Sequence, residues 1–126
     1  MQLTQNFTRE EFACRHCGRM NIPMSSIERL QRVRNKFGRP MTVTSGDRCP
    51  THNQAVSSTG PNGPHTKGAF DIAVSGPEAY ILVAIALQEG FTGIGVNQKG
   101  PHDKRFIHLD DLADDVGRLR PTIWSY

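Results

Sequence analysis

Two spaced sets of metal-ligand residues constrain this chain more than any hydrophobic pattern in it, because each set works only if distant segments meet. The first set is Cys14-x-x-Cys17 with Cys49-x-x-His52. Such paired spacing suits a closed tetrahedral zinc site. Three cysteines cannot all pair within one chain, so a disulfide framework strands one thiol where a Cys3His site uses all three. The plain alternative is a reduced trio of ordinary buried cysteines. The second set is His65 and Asp71 in PHTKGAFDIA, joined by His108 in RFIHLDD. Three nitrogen and oxygen ligands leave a coordination position free for water, which is the arrangement of an open, hydrolytic metal site.

The residues between these sets read as an α+β fold. Thr8-Arg9-Glu10-Glu11 has the form of a capping box and opens a short helix that delivers Cys14. Ile27, Leu30 and Val33 repeat at helical spacing after Pro23, with Arg29, Arg32 and Arg34 facing water and Gly38-Arg39-Pro40 as the stop. Met41–Thr44 reads as a strand and Thr51–Ser57 as a brief helix, followed by a loop over 57–64. Ala69–Val74 reads as a buried strand, a helix runs from the Ser75 to Glu78 cap to Gln88, and 91–96 and 105–109 read as two more strands. The expected architecture is a small antiparallel sheet of three or four strands flanked by helices. At 126 residues it forms one domain, with 1–40 a zinc-stapled N-terminal helical segment packed on a core over 41–126.

Charge and composition narrow the partners. The formal charge of +3 favours anionic partners, but the basic residues do not gather in a run, so nucleic acid is not expected and a polyanionic cell envelope serves equally well. A zinc-ribbon nucleic-acid binder built on the cysteine set is accordingly the weakest reading. No apolar run approaches membrane-spanning length, and MQLTQNFTREEF lacks the basic and apolar regions of a signal peptide. The expectation is a monomer made in the cytoplasm.

Asp71 lies within an apolar strand, where an unpaired carboxylate costs several kcal/mol or takes up a proton, and a cation such as zinc removes that penalty. His108 also sits in an apolar strand. Alone it reads as a satisfied core histidine, but beside His65 and Asp71 it reads as a ligand.

These residues resemble the zinc D-alanyl peptidase family, which includes D-alanyl-D-alanine carboxypeptidases, vancomycin-resistance dipeptidases and phage L-alanyl-D-glutamate endolysins, and whose fold is shared by the hedgehog signalling domain. The resemblance runs from about Thr42 to Asp110. It rests on Ser45-Gly46-Asp47-Arg48, on His65-Thr66-Lys67-Gly68-Ala69-Phe70-Asp71 and on Phe106-Ile107-His108-Leu109-Asp110. It implies that His65, Asp71 and His108 bind a catalytic zinc, whereas the structural zinc of the cysteine set is expected from its spacing alone. Arg48 would then hold a substrate carboxylate or carbonyl oxygen.

Two departures stand out. The step from His65 to Asp71 is one residue shorter than in the family pattern. The family's general base comes two or three positions before the last ligand, where this chain has Phe106 and Arg105. His102 in the preceding loop is the first choice as a replacement base, since imidazole titrates near neutrality, and Asp103 is its rival. Asp110 comes third, or else serves to orient a ligand histidine. Trp124 either covers the core or lines a substrate groove, the first being the more usual role of a lone tryptophan. The resulting expectation is a zinc-dependent hydrolase of peptidoglycan stem peptides, a phage or prophage lysis enzyme that waits in the host cytoplasm. The alternative is a non-catalytic zinc-stabilised binding module.

Overall fold

A computed structural model describes every residue from Met1 to Tyr126. In chain order the elements are α1 (Arg9–Phe12), α2 (Met24–Phe37), β1 (Val43–Ser45), α3 (Pro50–Val56), α4 (Pro64–Lys67), β2 (Ala69–Ala73), α5 (Gly76–Gln88), β3 (Gly93–Asn97), a 3-10 turn over His102–Lys104, β4 (Phe106–Asp110) and β5 (Thr122–Ser125). The strands form one sheet in the order β1-β2-β4-β3-β5. All neighbours are antiparallel except β3 and β5, which run parallel.

The α+β class is as expected, but the sheet is mixed and has five strands. Thr122–Ser125 gave no strand signal because it is an edge strand whose side chains alternate between half-buried and exposed, so no buried apolar run marks it. The helical turn α4 also lies outside the expected elements. Four residues with Pro64 at the first position and Gly68 at the end show no apolar period to read. The first strand runs from Val43 to Ser45, shifted from the expected Met41–Thr44.

α2 forms as the periodicity predicts. Ile27, Leu30 and Val33 are fully buried, each contributing about 1.5–3 kcal/mol of burial. Gly38 closes the helix in the left-handed region at φ 71°, its N–H donating to the Arg34 carbonyl. Of the three arginines expected in water, only Arg32 is exposed. Arg29 donates to the Gly90 carbonyl at 2.8 Å, tying α2 to the end of α5.

One cluster of 19 buried residues extends from Phe7 and Phe12 through α2 and α5 to Phe70, Ile72, Ile94, Ile107 and Leu109 on the sheet. Alternation along β2 and β4 assigns those apolar residues to the helix side. It leaves Asp71, His108 and Asp110 on the opposite face, and this second face carries the polar cluster.

Candidate active site

A single row of cross-strand neighbours builds the centre of the polar face. Ser45 on β1 stands opposite Asp71 on β2, Asp71 opposite His108 on β4, His108 opposite Gly95 on β3, and Gly95 opposite Trp124 on β5. Directly opposed residues have Cβ atoms only about 5 Å apart, so the pairing itself brings Asp71 and His108 together. His65 arrives from α4. The shortened step from His65 to Asp71 is absorbed there, because the helical turn ends at Gly68 and β2 starts at once with Ala69.

His65 Nε2 lies 3.1 Å and His108 Nδ1 3.2 Å from the same oxygen, Asp71 Oδ1. The three residues are buried, at 5, 1 and 6 % exposure for His65, His108 and Asp71. Each imidazole has its other nitrogen committed. His65 Nδ1 donates to the Gly46 carbonyl at 2.8 Å, and His108 Nε2 donates to Asp110 Oδ2 at 2.7 Å. Those two bonds leave His65 Nε2 and His108 Nδ1 as the ring nitrogens that face the shared carboxylate oxygen.

Three acceptors cannot converge in a buried pocket without positive charge between them. The ionisation shifts express the same demand. Burial works to raise the Asp71 carboxyl, yet the imidazoles of His108 and His65 outweigh it and hold the group well below the usual carboxylate range. Burial works to lower His108, and the Asp110 and Asp71 carboxylates outweigh it, moving the ring upward. A divalent cation meets this demand without extra protons. Two imidazole nitrogens and one carboxylate oxygen are a donor set that suits zinc, with their ligand atoms all within 4.8 Å of one another.

The surrounding residues hold this trio in place. Asp110 is fully buried and takes a bidentate pair from Arg120, Nε to Oδ1 and Nη2 to Oδ2, both 2.8 Å. Burial would raise its carboxyl, but His108 and Arg120 bring it down to about 2. Trp124 lies over His108 with ring centroids 4.9 Å apart, and the Arg120 guanidinium stacks 5.2 Å from the Trp124 ring. The close approach requires Gly95, since a Cβ there would come within 2.7 Å of Trp124 Nε1 and 2.9 Å of His108 Cβ. Trp124 therefore covers a site imidazole rather than the apolar core.

Arg48 borders the cluster, with Nη2 3.6 Å from Asp71 Oδ2. Ser45 Oγ accepts from its Nε and Asn53 Oδ1 from its Nη1, each at 3.2 Å. Asn53, itself buried, is anchored by donating to Thr59 Oγ1 and the Gly60 carbonyl. Behind this loop, Asp47 is 2 % exposed and receives Arg19 through two bonds of 2.9 and 3.1 Å.

Not every expected residue joins its set. His102 and Asp103 sit in the exposed 3-10 turn, with His102 Nδ1 3.5 Å from Ser75 Oγ. Ser75 is four positions beyond Asp71, on the order of 13 Å at the strand rise. The turn after Gly100-Pro101 folds His102 against the start of α5, away from the polar cluster, so neither residue is placed to act as its base. In the cysteine set, Cys14, Cys17 and Cys49 have sulfurs within 4.8 Å of one another, and His52 is not in that group. Its backbone N–H donates to Cys49 Sγ at 3.4 Å while its ring stacks against His16. The Asp110 contact was legible from its two-residue step after His108. Arg120, Asn53 and His16 carried no comparable signal.

No curated protein matches the chain. A family model described as Peptidase M15 matches residues 5–110, a span that takes in both ligand clusters, Arg48 and the first four strands. With a zinc-type donor set buried at its centre, the chain belongs to the peptidase M15 family of zinc peptidases.

Proposed function

We propose that the protein hydrolyses peptide bonds in the D-amino-acid-containing stem peptides of bacterial peptidoglycan, using zinc held by His65, Asp71 and His108. The observation that carries this reading is the convergence of His65 Nε2 and His108 Nδ1 on Asp71 Oδ1 with both other ring nitrogens already committed. Zinc bound there supplies Lewis acidity to a scissile carbonyl and lowers the pKa of a coordinated water.

The chain's own residues divide the remaining work. The Arg48 guanidinium, 16 % exposed and fixed by Ser45 and Asn53, presents a preformed cationic edge to a substrate carboxylate or carbonyl oxygen. Asp110 orients His108 and strengthens it as a ligand. Trp124 keeps water from one side of that ring. The likeness of the Ser45–Arg48 and His65–Asp71 segments to wall peptidases supports peptidoglycan as the substrate. Resemblance to a family that includes phage L-alanyl-D-glutamate endolysins extends the reading to a phage or prophage lysis enzyme.

Incubation of the zinc-loaded protein with purified muropeptides, followed by mass spectrometry, tests the reading and identifies the bond. Loss of a terminal D-alanine or cleavage within the stem supports it. Unchanged muropeptides from folded, zinc-loaded protein overturn it. A second reading, a zinc-stabilised module that binds wall peptides without cutting them, is favoured by one feature: Phe106 and Arg105 occupy the family's base positions, and His102 and Asp103 lie elsewhere. Retained binding with intact muropeptides is its signature.

A further inference from the structure

We propose a second zinc site, held by the thiolates of Cys14, Cys17 and Cys49 and by His16 Nδ1, that clamps the N-terminal segment onto the loop presenting Arg48. The three sulfurs lie within 4.8 Å of one another, and none is in a disulfide. Tetrahedral zinc with bonds of about 2.3 Å to sulfur separates its thiolates by about 3.8 Å, so only small side-chain movements close the cluster on a metal. Cys14 and Cys49 are buried, while Cys17 lies at the surface.

Backbone N–H groups point at two of the three sulfurs. Cys14 Sγ accepts the Cys49 backbone N–H at 3.3 Å, and Cys49 Sγ accepts the His52 N–H at 3.4 Å. Soft sulfur donors with an imidazole select zinc over hard cations. Neither His16 nor His52 joins the group of atoms within 4.8 Å of one another, and His16 is the one with a ring nitrogen beside a sulfur. His16 Nδ1 stands 3.4 Å from Cys49 Sγ, close to the separation of about 3.5 Å that a sulfur and a nitrogen ligand have on one zinc. The His52 ring lies parallel to His16 with centroids 6.0 Å apart. His52 thus supports the cluster through its backbone N–H and stacks on the ligand ring.

The position of the cluster gives it a purpose. Cys49 follows Arg48 directly, and the same loop carries the Gly46 carbonyl that sets the His65 tautomer. The N-terminal segment presses on that loop. Asp47 N–H donates to the Phe12 carbonyl at 2.8 Å, and a Cβ on Gly46 would lie 2.6 Å from the Phe12 oxygen. Closing Cys14 and Cys17 onto Cys49 locks this contact.

Metal content and cobalt spectra of the full-length protein test the proposal. Two zinc ions per chain are expected by plasma emission. Cobalt substitution should give intense thiolate-to-metal absorption, kept in His65→Ala and lost in Cys17→Ser, whose exposed position leaves folding intact. Loss of that absorption or a blue shift in His16→Ala, with His52→Ala unchanged, supports the assigned fourth ligand; the opposite pattern overturns it. A single zinc per chain, unaltered by Cys17→Ser and without thiolate absorption, overturns the site. Because the readout is metal content, its failure is separate from any failure of the peptidase reading.

Discussion

Each imidazole at the centre of the polar face has one nitrogen held by an acceptor, and that is what makes the other a ligand. Replacing Asp110 by Asn removes the negative partner of His108 while keeping the shape. Such a change to the group behind a metal ligand typically costs 10–100-fold in metal affinity, and we expect a loss of about that size, read by competition with a chromophoric chelator. Asp110 also links stability to pH. Its folded-state ionisation sits at about 2, below the ordinary carboxylate range, so its stabilising contribution is complete above about pH 4 and lost as pH falls toward 2. In metal-free protein, the stability gap between wild type and Asp110→Asn in urea should therefore shrink across that window. A gap independent of pH contradicts the ion pairing with His108 and Arg120. Arg48→Lys keeps the charge but removes the planar fork held by Ser45 and Asn53. We expect a raised KM for stem peptides with the zinc content unchanged.

At the scale of elements, the site is a product of register. The row from Ser45 through Asp71, His108 and Gly95 to Trp124 crosses all five strands, and a slip of one residue in β4 would turn His108 into the core. Gly95→Ala tests the row directly. Its Cβ has no room between Trp124 and His108, so β5 must shift, and we expect destabilisation of about 1–3 kcal/mol with weakened zinc binding. Unchanged stability would mean that Trp124 does not pack there in solution. Much of this level was legible in the sequence, because β2, β4 and α2 announce themselves by apolar period and their ligands fall within or beside those runs. What stayed hidden was set by contacts that leave no period: β5 is an edge strand, α4 is too short, and Arg120 reaches Asp110 from a segment without regular structure.

Across the whole molecule, the long helices α2 and α5 pack on one face of the sheet and the chemistry lies on the other, and the N-terminal segment is joined to the chemistry by Asp47. Arg19 is the partner of that buried carboxylate. Arg19→Ala leaves it with only the Asn21 N–H, which we expect to cost about 2 kcal/mol or more in denaturant unfolding. A cost near zero would detach the N-terminal segment from the architecture of the site. The three cysteines and the trio of His65, Asp71 and His108 that the fold brings together stood out by spacing, since ligand chemistry demands particular residue types, but His52 lies outside the sulfur group. The general base could not, because no position near the metal-type cluster is an unengaged acid or histidine; the loop direction that carries His102 away depends on packing against Ser75. The most direct test of the central claim is peptide release from purified peptidoglycan by the zinc-loaded protein, repeated after chelation, after zinc is restored, and with His108→Ala. Release that stops on chelation, returns with zinc and is absent in His108→Ala is the predicted result. Release that survives chelation, or that His108→Ala retains, would contradict a hydrolytic site built from His65, Asp71 and His108.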